Sequence, residues 1–154
     1  HDEKMVRTMK RACRRILTYG EGWMTCCRAQ HPEELTEQLG YLRDEAAQMD
    51  DDADRLVISY QVTLNIGDSE ESARNAFDGY ISQYYPELSK AMDLSNWGPV
   101  GTPDKIIEWF RTFRDAGVDH FICRFGSLDQ FGQVERFARD VLPALRAEPA
   151  RSGG

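Results

Sequence analysis

The sequence is 154 residues long, 41% hydrophobic and 29% charged, one domain's worth of ordinary globular composition with enough length for a real core. Its formal net charge of −7, with no basic cluster, argues against nucleic acid as a partner, and no apolar run is long enough to span a membrane. The four cysteines, Cys13, Cys26, Cys27 and Cys123, form no CxxC pair. Free thiols in a cytoplasmic setting are therefore expected, rather than a disulfide framework or a zinc site. The chain opens on His1 with no signal-like segment, which reads as a cut through something longer.

In chain order, Met5, Met9, Ala12, Cys13 and Ile16 recur at helical spacing up to Gly20. Residues 22–26 follow as a short strand flanked by glycine. His31-Pro32-Glu33-Glu34 starts a second helix, with Leu35, Leu39, Leu42 and Ala46 as its apolar stripe. The acidic run Asp50 to Asp54 lacks calcium-loop spacing and reads as a solvated loop. Residues 56–66 form the clearest strand: Leu56, Ile58, Tyr60, Val62, Leu64 and Ile66 alternate with Val57, Ser59, Gln61, Thr63 and Asn65. Its small polar face either meets water or lines an enclosed site. Gly67-Asp68-Ser69-Glu70 opens a third helix, whose buried side carries Ala73, Phe77, Tyr80, Ile81 and Tyr84 and which Tyr85-Pro86 interrupts.

Gly101-Thr102-Pro103-Asp104 is a well-formed helix start, with a cap hydroxyl, proline at the first helical position and an acid near the positive end of the dipole. The helix to residue 116 presents Ile106, Trp109, Phe110 and Phe113 on one face and ends at Gly117. Phe121 to Phe125 reads as a buried strand with an unexpected charge, Arg124, which needs a carboxylate or a bound anion as partner. The last helix places Phe131, Val134, Ala138, Val141 and Leu145 on one face, and residues 147–154 compose a frayed tail. Helices alternating with short apolar strands imply an α/β fold on a parallel sheet with right-handed crossovers. Three strands are too few to close a barrel.

These residues resemble the luciferase-like monooxygenase superfamily, flavin- or F420-dependent oxidoreductases on a (β/α)8 barrel. The resemblance lies in GEGWM at 20–24, HPEEL at 31–35, ISYQVTLNIGDSEESAR at 58–74, WGPVGTPDKI at 97–106 and AGVDHFICRFGSLDQFGQVERFARDVLPALR at 116–146. Glu21 stands where the family more often has Asp. A complete barrel of this kind needs roughly 250 residues or more. The resemblance therefore implies that residues 1–146 are the C-terminal portion of a TIM barrel, about strands six to eight with their helices.

It further implies FMN, or F420 in the sister group, as cofactor, a small organic substrate, a cytoplasmic homo-oligomer, and an enzyme inactive as this fragment alone. A non-catalytic half-barrel that binds a flavin or a phosphorylated ligand is the rival. From spacing alone, Gly101-Thr102 is either a plain cap or an anion site; the resemblance favours the cofactor phosphate. Arg124 is either a structural ion pair or a group near that phosphate. Gln61 and Thr63 either line the site or pack as small polar residues, and Trp23 either walls the cofactor or closes the core. No acid/base pair or triad is visible, as suits a protein whose cofactor carries the redox chemistry. The catalytic residues stay unassigned.

Overall fold

The computed structural model describes residues 3–26, 31–91 and 97–147. Cys27 and, of the expected tail at 147–154, residues 148–154 lie outside them. The elements are α1 (Glu3–Tyr19), β1 (Gly22–Cys26), α2 (Pro32–Gln48), β2 (Val57–Ile66), α3 (Glu70–Tyr84), α4 (Pro86–Ala91), β3 (Val100–Gly101), α5 (Pro103–Ala116), β4 (His120–Phe125), α6 (Gln130–Arg136) and α7 (Leu142–Arg146). The fold is α/β on a parallel sheet centred on β2. Along one edge β2 pairs first with β1 and then, near its end, with β3; β4 runs along the other edge. The two-residue β3 was not anticipated, because two residues carry no periodicity. Its pairing of Asn65 with Val100 and Ile66 with Gly101 brings the start of α5 to the end of β2.

The alternation along β2 sorts the two faces of the sheet. Leu56, Ile58, Tyr60, Val62, Leu64 and Ile66 are all buried, in one cluster with Leu35, Leu39 and Leu42 of α2 and Ile106, Phe110 and Phe113 of α5. Each such aliphatic or aromatic side chain contributes roughly 1.5–3 kcal/mol by leaving water. Register puts Trp23 and Thr25 of β1, and Phe121, Cys123 and Phe125 of β4, on this same helix-covered face.

The opposite face holds Met24, Val57, Ser59, Gln61, Thr63, Asn65, His120, Ile122 and Arg124. Its first part is open: Met24 is 58% exposed, Val57 50% and Ile122 38%. This is why β4, read as buried from its composition, is only partly buried, through Phe121, Cys123 and Phe125 on the helix-covered side. Exposed apolar side chains on an open face, beside strand edges unpaired among the described residues, favour self-association. Sedimentation of the chain is expected to show oligomers that dissociate on dilution; a stable monomer at high concentration would contradict this.

Side chains complete the pairing where strands run out. Asp119 ties the start of β4 to β2, donating its N–H to the Ile58 carbonyl (2.8 Å) and accepting from the Ile58 N–H through Oδ2 (2.9 Å). Beyond the end of β4, the Gln133 side chain takes the place of a strand, accepting from the Ile66 N–H at 2.8 Å and donating to its carbonyl at 2.9 Å.

The acidic run is more than a solvated loop. Asp51 holds Arg55 through two bonds, and Arg55 also donates to the carbonyls of Gly20 and Leu17 at the end of α1. The hydrogen bond from Arg55 is the main reason the Asp51 carboxyl lies at about 2, below the ordinary carboxylate range. A depressed folded-state value means that this tie stabilises fully above the ordinary carboxylate pKa and is lost as pH falls through the lower value. Acid unfolding is therefore expected to be shallower between pH 4 and pH 2 in Asp51→Asn than in the parent, as followed by circular dichroism.

The last helical segment departs from its expected stripe. Phe131 is 87% exposed and Val134 49%, and Ala138 is also exposed. Val141 and Leu145 of that stripe do pack inward, joined by Phe137 and Ala144 in place of the other three. A π-helical turn at Phe137–Val141 lies between α6 and α7. The wider turn changes which residues face inward, so a stripe drawn at 3.6 residues per turn loses its register there.

Candidate cofactor site

The open face closes over at the C-terminal end of β2, where α3 crosses it. Ser69 starts α3 with a capping box to Ser72. Phe77, fully buried, then presses on the chain after β4: a Cβ at Gly126 would sit 2.5 Å from the Phe77 ring and 3.2 Å from the Thr63 methyl. Only glycine lets helix and sheet approach so closely. Ala73, Phe77, Tyr80, Ile81 and Val100 form a second, smaller core, with Tyr85 and Trp97 packed against it.

Beneath this cover lies Arg124. It is neither extended into solvent nor paired with a carboxylate among the described residues. Its Nε and Nη2 donate to Thr63 Oγ1 at 3.0 and 2.8 Å, and Nη1 donates to the Tyr85 hydroxyl at 2.8 Å, with the guanidinium carbon 5.6 Å from the Tyr85 ring centre. These partners are neutral, so they orient the cation without cancelling its charge. Among the described residues three of the five guanidinium N–H donors are used, which leaves two for a ligand. Burial raises the Tyr80 hydroxyl above its ordinary value, against an opposing pull from Arg124, so it stays protonated at neutral pH.

Asn65 adjoins this group and is 1% exposed. Its Nδ2 donates to the Gly126 carbonyl at 2.8 Å, while its buried Oδ1 has no hydrogen-bond partner among the described residues. An orphaned acceptor this deep costs about 1–3 kcal/mol unless something donates to it. Guanidinium donors and an unmet acceptor at one strand end suit a ligand carrying both an anion and a hydroxyl, such as a polyol phosphate.

The residues expected from sequence fall in three places. Gln61, half-buried, shares the face of Thr63 and Arg124, in register with Cys26 and Ile122. Gly101 and Thr102 stand on the opposite edge of β2 from Arg124. The Gly101 carbonyl accepts from the Gly67 N–H at 2.9 Å, and Thr102 occupies the cap position of α5 without its hydroxyl making a cap bond. Trp23 pairs with Ile58 and packs into the main core on the helix-covered face, so it does not join Arg124. Alternation is the reason, since Met24 takes the other face. Cys123 also faces the helices, and burial pushes its thiol up to about 11, so it is no thiolate at neutral pH.

Sequence reading did not single out Asn65 or Gly126. The signal for Asn65 was present, as it continues the polar face of β2 beyond Thr63. For Gly126 there was none, because its need is set by a ring 49 residues away in the chain.

No family model matches the chain, and no curated protein matches it in sequence. Solved structures do match in fold. An F420-dependent secondary alcohol dehydrogenase in complex with an F420–acetone adduct aligns at TM-score 0.70 and 17% identity, covering 92% of this chain and 46% of that one. Riboflavin lyase with modified FMN and riboflavin aligns at TM-score 0.65 and 18% identity, covering 96% and 42%. The F420-dependent tetrahydromethanopterin reductase of Methanopyrus kandleri aligns at 0.64 and 14%, covering 90% and 48%. The chain therefore shares the fold of these three structures, over somewhat less than half the length of each.

Proposed function

We propose that residues 1–146 are the cofactor-phosphate portion of a flavin-type oxidoreductase or monooxygenase, with β1, β2 and β4 as the sixth, seventh and eighth strands of a (β/α)8 barrel. The observation that carries this reading is Arg124, a cation oriented by two neutral hydroxyl partners beside the orphaned acceptor of Asn65. In barrels of this kind the ligand lies at the C-terminal strand ends, with phosphate near the last two strands. The Arg124 cluster sits at that end.

Arg124 would hold the phosphate of FMN or F420, and Asn65 Oδ1 would accept from a hydroxyl of the chain that carries it. Thr102, its hydroxyl uncommitted to a cap, and Gly101 would reach the same ligand across the end of β2, with Gln61 beneath. When bound, the flavin or deazaflavin supplies hydride transfer or oxygen chemistry. What this chain's residues contribute is grip at the phosphate, orientation, and exclusion of water under α3.

The test is affinity with and without the phosphate. FMN is expected to bind folded protein at least about tenfold more tightly than riboflavin, because a charged hydrogen-bonded contact is at stake. If F420 is the partner, the deazaflavin lacking its phosphate should show the same deficit. Equal affinity for the phosphorylated and unphosphorylated forms would remove the assignment. The rival is a non-catalytic binding module; substrate-dependent flavin turnover by the full-length protein separates the two.

A further inference from the structure

A second cavity lies on the helix-covered side of the sheet, at the same end of β2. It has a volume of about 190 Å³ and is walled by Tyr60 and Val62 of β2, Lys105 and Trp109 of α5, Arg74 of α3 and Trp97. Tyr60 and Val62 point away from the face that carries Thr63 and Arg124, while Arg74, Trp97 and Val100 reach the cavity from the core under α3. Two contacts among the described residues link it to the cofactor side: Trp97 meets the Tyr85 ring at 5.3 Å, with Tyr85 holding Arg124, and Arg74 lies 5.6 Å from the Phe77 ring centre.

The lining has two chemical characters. Tyr60, Trp97 and Trp109 give it three aromatic walls. Its basic side chains are Lys105, Arg74 and His31, and no carboxylate lines it among the described residues. Each has an acidic neighbour outside the cavity: Glu70 at 2.9 Å from Lys105, Asp78 at 3.9 Å from Arg74 and Glu33 at 3.4 Å from His31. All three acids are exposed, and exposed pairs are weak and easily exchanged for a ligand's anion. The first turn of α5 lies along the wall, with the positive end of its dipole there. Size narrows the occupant, since an apolar cavity of about 150 Å³ accepts benzene. Here one six-membered ring with a small substituent fits.

We propose that this cavity binds a monocyclic aromatic carboxylate, with the ring against Trp97 and Trp109 and the carboxylate toward Lys105 and Arg74. The site adjoins the proposed cofactor-phosphate site, since a Cβ at Gly101 would sit 2.8 Å from Lys105 Cδ, and through Trp97 its occupant reaches Tyr85, which positions Arg124.

Benzoate, titrated into the chain and followed by tryptophan fluorescence and ligand-observed NMR, is the probe. Saturable binding with a dissociation constant on the order of 1 mM or below is expected. Lys105 is half exposed, so Lys105→Ala should fold normally and weaken benzoate about tenfold. Benzyl alcohol, of similar shape but neutral, should bind at least about tenfold more weakly. Arg124→Ala, on the other face, should leave benzoate affinity within about twofold, even where it abolishes flavin binding. The proposal is overturned by absence of saturation, by unchanged affinity in Lys105→Ala, by equal binding of benzyl alcohol, by displacement with equimolar inorganic phosphate, or by loss of benzoate binding in Arg124→Ala.

Discussion

Replacing Arg124 by alanine is expected to weaken binding of the phosphorylated flavin by about 2–3 kcal/mol, roughly 30- to 150-fold, while riboflavin affinity changes little. The size follows from the surroundings. The guanidinium is half-buried under α3, its partners are the hydroxyls of Thr63 and Tyr85, and among the described residues no carboxylate competes for its charge. Arg124→Lys should recover only part of the loss. A lysine keeps the charge but cannot hold Thr63 on one side, Tyr85 on the other and a phosphate between, which the planar fork allows. Thr63→Val, close in shape, removes the anchor for two of the three observed bonds and should loosen the fork with a smaller loss. Titration of folded variants with FMN and riboflavin measures all of this. An Arg124→Ala protein that binds FMN as well as the parent would sink the assignment.

The largest expected loss of stability comes from Phe77→Ala, at about 3–5 kcal/mol by chemical denaturation. Phe77 is wholly buried, and its ring fills the space that Gly126 leaves open. It is the centre of the small core that seats α3 on the sheet, with Tyr80 and Tyr85 depending on that seat. A cavity there also frees the cover over Arg124, so flavin affinity should fall in protein that is still folded. Hydrogen exchange should show α3 losing protection before β2, whose core lies on the other face. A cost below about 1 kcal/mol, with α3 still protected, would mean that the helix is held elsewhere.

How much was legible in the sequence follows from the range of each signal. The burial of Leu35, Leu39, Leu42 and Ala46, and of the even-numbered residues of β2, was readable because period and hydrophobicity act locally. The break before Pro86 and the start of α5 at Pro103 were readable for the same reason. The exposed Phe131 was not, because a π turn further along changes which residues turn inward, and no composition rule marks it. Arg124 was legible as a charge in need of a partner, but the partner's identity was not: Tyr85 sits 39 residues away on a different element. Likewise Trp23, next to Met24, had even claims on both faces until register with Ile58 decided the matter.

By itself, then, the sequence determined the alternation of helices and strands, the apolar face of each, the parallel α/β class and the isolated charge on β4. These depend on contacts within a few residues along the chain and on the simple cost of burying what water would solvate. Only the tertiary structure decided that α3 lies across the end of β2, that β3 brings the start of α5 beside it, that Thr63 and Tyr85 converge on Arg124, and that Asn65 is left with an unmet acceptor. Those arrangements depend on which elements pack together, and packing joins residues tens of positions apart through the shapes of side chains such as Phe77 against Gly126, for which a linear sequence carries no local signal.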